Sequence, residues 1–403
     1  MEPKLHRFRN NASAIRYGNP AWEEAREHHL IGLRIKVADH DRLVEEGGHT
    51  FVNLCSCSYL GLHNHPALLE GAIAALRREK VMDVPISRVR MQLSIIDELE
   101  SRLSSLFRAR SVSAITASAA SLAVLPLIAS GHLSDGEPPV MVFDKFCHFS
   151  MNIIKPICAD ETQVLTSPHN DMNFLEDVCK KHPRVAYVAD GAYSMGGCAP
   201  IEELLELQDR YGLFLYFDDS HSLSVCGERG EGYVRSRIPG DLSPLTVIVA
   251  SLCKGFGAAG GVIMLGPKEH ESILLRWGGP MAWSQKLNTA GAGACLASID
   301  IHESPELGQL QQKLRDNLAL FDEQVETEQK GDIFPIRLLV TGAEERATEC
   351  SGRIFERGFY TSAVFFPIVE RGKAGLRVML RADNRPEDIL TFCDVARNTV
   401  YVD

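Results

Sequence analysis

Apolar positions follow two rhythms along this chain, and the change from one to the other outlines its parts. Polar and charged residues dominate the first fifty, where the spacing predicts a helix over residues 20–44 in an N-terminal arm of residues 1–50. Residues 51–62 predict a short strand and a turn. Apolar residues then recur at helical spacing over 66–78 and 93–108. Short β-type runs follow at 140–143, 184–189, 212–217, 245–250 and 261–265, with helical segments such as 172–181 and 201–211 between most of them. These runs are continuously apolar rather than alternating, as in a mainly parallel sheet covered on both faces. Past residue 303, amphipathic helices over 307–328 and 344–356 bracket short strands near 336–340 and 375–380. The expected organisation is α/β: an arm (1–50), a large domain (51–302) and a smaller α+β C-terminal domain (303–403).

Ligands of an open parallel sheet bind beyond the carboxyl ends of its strands. Asp144, His148, Asp190, Ser194, Asp218, His221, Ser251 and Lys254 all lie at or just past such ends. Lys254 follows the run Thr246-Val-Ile-Val-Ala-Ser251, and Asp218 and His221 follow Leu213-Phe-Leu-Tyr-Phe217. A lysine, a carboxylate and an imidazole so delivered are what pyridoxal 5'-phosphate (PLP) requires. The amine forms a Schiff base with the aldehyde, the carboxylate keeps the pyridine nitrogen protonated, and the histidine can hydrogen-bond the ring's phenolic oxygen.

Each of these residues also has a duller explanation. A lone lysine at a strand end is commonly a salt-bridge partner, and a lone histidine such as His148 a satisfied core residue. The case rests on the ensemble. Gly255-Phe-Gly257-Ala-Ala-Gly260 matches the dinucleotide fingerprint, but it runs into a β-type stretch where that motif needs a helix. Ser251-Leu-Cys-Lys254 matches S-x-x-K without the partner motifs of penicillin-binding enzymes. Asp218-Asp219-Ser-His221 could suit a divalent cation, yet no second cluster at metal spacing accompanies it, and no metal is expected.

Composition narrows the class. The chain has 403 residues, enough to bury a large core without disulfides or metals. Its net charge of −11 argues against a nucleic-acid or anionic-membrane partner. The eleven cysteines fall singly, an odd count that suits buried thiols in a reducing cytoplasm. The charged start, Met1-Glu-Pro-Lys-Leu-His-Arg7, lacks a secretory apolar core, and no apolar run reaches membrane-spanning length.

The order of motifs resembles the fold-type I PLP-dependent enzymes and, among them, the α-oxoamine synthases, from about residue 53 to 388. Asn53-Leu-Cys-Ser-Cys-Ser58-Tyr59-Leu-Gly-Leu62 is similar to the family's opening N-F-x-x-N-(N/D)-Y-L-G-L. Asp144-Lys-Phe-Cys-His148-Phe-Ser150 resembles D-x-x-x-H-x-S, and Pro168-His-Asn-Asp171 contains H-N-D. Asp190-Gly-Ala-Tyr193-Ser194-Met-Gly-Gly is similar to E-x-x-Y-S-M-D-G, and Phe217-Asp218-Asp-Ser-His221 to V-D-E-A-H. Ser251-Leu-Cys-Lys254-Gly-Phe-Gly257 resembles T-L-S-K-A-F-G, and Gly375-Leu-Arg377-Val-Met-Leu380 resembles R-L-R-I-S-L.

The resemblance implies roles. Lys254 would carry PLP and act as acid and base at the substrate α-carbon. Asp218 would hold the pyridine nitrogen, His148 would stack on the ring, and His221 and Ser194 would contact its phenolic oxygen. Thr116-Ala117-Ser118-Ala-Ala-Ser121 stands where the family seats the phosphate on backbone amides, with Ala117, Ser118 and Ser251 as donors. Ser284 would lend a phosphate contact across a homodimer interface. Ser58 and Arg377 would hold the donor carboxylate.

Departures fall on the substrate side. Ser58 replaces an asparagine, Pro85-Ile-Ser-Arg88 replaces a glycine-rich G-S-R, and Ile96 replaces the histidine of H-x-x-L-E. That drift suits an unusual amine donor or acyl carrier. Quorum-sensing autoinducer synthases look similar around the lysine and lack the same histidine; in their case S-adenosylmethionine can be the amine substrate. The expected activity is decarboxylative condensation of an amino acid with an acyl thioester, on CoA or a carrier protein, in a cytoplasmic homodimer. A PLP aminotransferase or lyase of the same fold, or a non-catalytic subunit of a heteromeric synthase, remains an alternative.

Overall fold

β-branched and aromatic runs, buried from end to end, set the centre of the larger part of the molecule. The computed structural model describes residues 10–401 apart from Asp135 and Pro367; the charged start at residues 1–7 lies outside the described residues. The chain divides into two compact units. One comprises Leu62–Tyr193 and Cys198–Leu307; the other comprises Asn10–Gly61, Ser194–Gly197 and the stretch from Gly308 on.

The first unit holds a seven-stranded sheet: β1 (Arg110–Ala114), β2 (Val140–Asp144), β3 (Val164–Ser167), β4 (Val185–Asp190), β5 (Phe214–Asp218), β6 (Thr246–Ser251) and β7 (Gly261–Leu265), in the order β1-β7-β6-β5-β4-β2-β3. Every residue of β4, β5 and β7 is buried, which is why these strands read as unbroken apolar runs. The five strands expected from the sequence are present. The two edge strands, β1 (Arg-Ser-Val-Ser-Ala) and β3 (Val-Leu-Thr-Ser), carry too many polar residues to stand out as apolar runs.

From β3 to β6 the neighbours are parallel, whereas β7 runs antiparallel to both β6 and β1. Residues 252–260 are too few for a crossover helix, so the chain must turn back beside β6. That return holds Lys254. It also places Gly255–Gly260 in a turn that enters a strand, not at a helix start. The helix Ala117–Ala129 is apolar nearly all round and packs on the sheet, with Val124, Leu125 and Ile128 fully buried. Each contributes about 1.5–3 kcal/mol of burial free energy.

The second unit contains two small sheets. One orders Ile35–Asp39, Arg42–Glu45, Thr50–Asn53 and Phe359–Tyr360; the other orders Ile336–Gly342, Ala374–Met379 and Ser362–Val364. The helix expected over 20–44 is corrected: the helix is Asn10–Glu27, and a hairpin of Ile35–Asp39 with Arg42–Glu45 follows it. Ile35, Val37 and Val44 favour strand, and His40 adopts the left-handed conformation (φ 35°) that the tight turn requires. Within this stretch Arg42–Glu45 pairs antiparallel with Thr50–Asn53, which in turn pairs in parallel with Phe359–Tyr360. Residues 51–61, expected in the large domain, belong to this second unit.

All eleven cysteines are free thiols. Among the described residues no helix is long and apolar enough to cross a membrane, and no group of three or more His, Cys, Asp and Glu is placed to hold a metal ion.

Candidate active site

Four strands of the first unit end on residues with chemistry: β2 on Asp144, β4 on Asp190, β5 on Asp218 and β6 on Ser251. Asp190 and Asp218 are register partners on adjacent strands and are both buried, at 2% and 5% exposure. Asp218 Oδ1 accepts the Ser220 N–H at 3.0 Å, and Asp190 Oδ2 accepts the His148 N–H at 2.8 Å. Burial, and then the charge of Asp218, hold the Asp190 carboxyl well above the ordinary range.

Past β5, the turn Asp219–His221 delivers a buried imidazole. Past β6, the return to β7 delivers Lys254. Their nitrogens, Lys254 Nζ and His221 Nε2, lie 2.8 Å apart and can share a proton. The two turns are stitched together: the Ser251 N–H donates to Ser220 Oγ at 2.8 Å, and the Asp219 N–H donates to the Val249 carbonyl at 2.7 Å. Asp219 is wholly buried. Its Oδ2 accepts the Val234 N–H at 3.0 Å, while its Oδ1 has no hydrogen-bond partner among the described residues. Burial pushes the Asp219 carboxyl up to about 6.

A second cluster surrounds Asp144. Its carboxylate accepts from His169 Nδ1 (3.0 Å), the Asn170 N–H (2.9 Å), the Phe146 N–H (2.8 Å) and the Tyr187 hydroxyl (2.9 Å). Burial alone would raise its pKa; the bond from His169, with those from the two backbone amides, outweighs burial and lowers it. This carboxylate pins the loop that leads to His148. His148 is exposed, caps the short helix Phe149–Asn152 and places Nδ1 2.8 Å from Ser150 Oγ.

Ala117 and Ser118 open the helix Ala117–Ala129, whose first turn contains no acidic residue. Thr116 caps it by accepting the Ala119 N–H at 3.0 Å. Ser121 Oγ donates to the Ala117 carbonyl at 3.0 Å and receives the Tyr216 hydroxyl at 2.8 Å, which ties the helix start to β5 two residues before Asp218. At the start of β7 a Cβ on Gly261 would lie 2.6 Å from the Ala117 nitrogen, so only glycine permits this approach. A helix N-terminus brought this close to the strand ends is a suitable seat for a phosphate. With a lysine amine against an imidazole and a buried carboxylate beside them, the donor set fits PLP.

The remaining expected residues are Ser251, Ser284, Ser58, Ser194 and Arg377. Ser251 Oγ accepts the Cys253 N–H at 3.2 Å. Ser284 is exposed, and its hydroxyl donates to the Pro280 carbonyl at 2.9 Å. Ser58, Ser194 and Arg377 belong to the second unit. There Arg377 Nη1 donates to the Ser194 carbonyl at 3.4 Å, and its buried Nε has no partner among the described residues. Ser58 is buried, and its carbonyl accepts the Gly61 N–H.

Of the departures, Ile96 lies fully buried on the apolar face of the helix Ser94–Phe107. Arg88 Nη2 donates to both carboxylate oxygens of Glu100, at 2.9 and 3.0 Å, while Glu100 also accepts from the Ser113 N–H and hydroxyl. Sequence reasoning assigned no role to Thr116 or Ser220. An N-cap threonine before an apolar run was the available signal for the first; nothing local marks the second.

The profile of the aminotransferase class I and II family matches residues 49–395. This chain belongs to that family. Two curated relatives are 8-amino-7-oxononanoate synthases. That of Symbiobacterium thermophilum is 30% identical, covering 85% of this chain and 86% of its own length. That of Thermoanaerobacter pseudethanolicus is 29% identical, with the same coverage. Among solved structures, a serine palmitoyltransferase variant from S. paucimobilis with a bound PLP–myriocin aldimine superposes with a TM-score of 0.84. It is 17% identical and covers 98% of this chain and 100% of its own. The fold is that of the fold-type I PLP-dependent transferases.

Proposed function

We propose that this chain is a PLP-dependent acyltransferase of the α-oxoamine synthase kind. It joins an amino acid, or a related amine donor, to an acyl group carried as a thioester on CoA or a carrier protein. The donor's α-carbon bonds to the thioester carbonyl carbon, the C–S bond breaks to release thiol, and the α-carboxylate leaves as carbon dioxide, with one proton taken up from water. The observation that carries this reading is the 2.8 Å approach of Lys254 to His221 beside buried Asp218. Its support for acyl transfer in particular comes from the curated relatives named 8-amino-7-oxononanoate synthase.

When bound, PLP supplies an aldehyde that takes up primary amines and a ring that withdraws electrons from the amine's α-carbon. Lys254 would hold the aldehyde carbon and, once released, move the α-proton with its free amine. Asp218 would keep a proton on the ring nitrogen, its buried carboxyl lying beside Asp190, whose own carboxyl burial pushes up. His148 would cover one ring face. His221 and Ser194 would orient the phenolic oxygen, and Ala117, Ser118, Ser251 and, from a partner subunit, Ser284 the phosphate. Arg377, whose buried Nε has no hydrogen-bond partner among the described residues, would anchor the donor carboxylate, assisted by Ser58. A cytoplasmic homodimer is part of the proposal. The exposed Phe146, Phe149, Ile153 and Ile157 (42–50%) supply an apolar surface for it.

The test is a panel of amino acids and S-adenosylmethionine offered to PLP-loaded protein with and without acyl thioesters. The expected result is one donor whose carbon dioxide release requires a thioester. Conversion of the cofactor to pyridoxamine phosphate without thioester would make the protein an aminotransferase. PLP binding with no spectral response to any amine would make it a silent subunit.

A further inference from the structure

Behind the Lys254 and His221 turns runs the helix Thr289–His302. It crosses the helix Pro66–Glu79 so closely that a Cβ on Gly293 would lie 2.4 Å from the Gly71 carbonyl oxygen and from Ala75 Cβ. Backbones in such contact leave little room to slide, so residues on this helix form a firm support. Two of its polar side chains face the active-site turns. Ser298 Oγ donates to the carbonyl of Phe256, two residues after Lys254, at 2.7 Å. His302 Nε2 lies 2.8 Å from the hydroxyl of Ser224, three residues after His221.

The imidazole's protonation follows from its partners. His302 Nδ1 lies 2.8 Å from the Ser298 carbonyl, which can only accept, so Nδ1 carries the proton. Nε2 therefore accepts the Ser224 hydroxyl proton. The ring is 4% exposed and also packs on Phe256, with centroids 4.7 Å apart. Ser224 is held with φ of 70°, a conformation costly for a residue with a side chain and kept by its bonds, including its N–H to the Gly230 carbonyl at 2.8 Å.

We infer that His302 is a positioning residue: through Ser224 it fixes the turn that carries His221 toward Lys254, while Ser298, one helical turn back, holds the Lys254 turn through Phe256. The inference rests on the function proposed above for that pair. It differs from a packing role in what it demands of substitutes. Glutamine can reproduce the Nε2 acceptor that reaches Ser224, whereas asparagine reproduces only the Nδ1 donor that reaches Ser298.

The experiment compares wild type, His302→Gln, His302→Asn and Ser224→Gly, the last chosen because glycine suits the backbone there and keeps the fold. Two readouts are taken: acetylation of Lys254 by acetic anhydride without PLP, followed by mass spectrometry, and the pH midpoint of the visible band with PLP. His302→Gln should match wild type in both. His302→Asn and Ser224→Gly should change the Lys254 acetylation rate threefold or more and move the midpoint in the same order. Equal behaviour of the glutamine and asparagine variants, or an unaltered Ser224→Gly, overturns the inference. If borohydride traps no PLP on Lys254 in the wild type, the functional proposal fails instead, and acetylation still decides the role of His302.

Discussion

Buried neutral His302 should make stability fall in acid, and the size of the fall follows from its surroundings. Burial lowers its pKa from 6.5 to about 4, with the Ser298 bond opposing. In the unfolded chain the ring takes up a proton as pH drops through 6.5; in the folded protein it does so only near 4. The group therefore contributes stability that is present above 6.5 and is lost as pH falls toward 4. At about 1.4 kcal/mol per pH unit the full loss is about 3 kcal/mol, with about 2 kcal/mol gone by pH 5. Asp219 works in the opposite sense. Its pKa is raised from 3.8 to about 6, so its contribution is present below 3.8 and lost as pH rises through 6. Comparing wild type with His302→Gln at each pH cancels Asp219 and every other shared group. Urea unfolding, followed by circular dichroism and tryptophan emission from pH 7 to 4.5, should show the variant losing less stability in acid, by about 2 kcal/mol at pH 5. Parallel curves for the two proteins would refute the reasoning, because they would mean that His302 titrates alike in both states.

Four further outcomes are expected. Lys254→Ala should bind PLP without the visible band of the lysine adduct, and borohydride should fix no cofactor; a trapped adduct on another lysine of the wild type would displace Lys254. Gly261→Ala should weaken PLP binding tenfold or more but affect phosphate-free pyridoxal far less, as read by equilibrium dialysis, since the added methyl strikes the Ala117 amide. Asp144→Asn should destabilise by roughly 2–4 kcal/mol, because an amide cannot accept from four donors at once; a change below about 0.5 kcal/mol in denaturant unfolding would contradict that account. Arg377→Ala should raise KM for the amine donor at least tenfold and leave KM for the thioester nearly unchanged, in initial-rate kinetics.

Much of the first unit was legible in the sequence because fully buried strands leave unbroken apolar runs and end where ligands bind. Asp218, His221 and Lys254 could be picked out from those runs alone. The edge strands were not legible, since Arg110–Ala114 and Val164–Ser167 mix polar with apolar residues. The segment 20–44 misled because a short hairpin leaves too few residues to display its period of two. Its turn depends on one residue, His40, adopting a positive φ that no pattern announces.

Local composition, then, was enough to determine the α/β class, the placing of Asp218 and Lys254 at or just past strand ends, and the turn that holds Gly255–Gly260, because each depends on residues adjacent in the chain. Tertiary structure decided what depends on approach between distant segments. The 2.8 Å meeting of Lys254 with His221, the pairing of Asp190 with Asp218, the bonds from His169, Asn170 and Tyr187 to Asp144 and the support from His302 all join segments separated along the chain. Hydrogen bonds and close contacts act over a few ångströms of space, and only the folded chain brings these groups within that range.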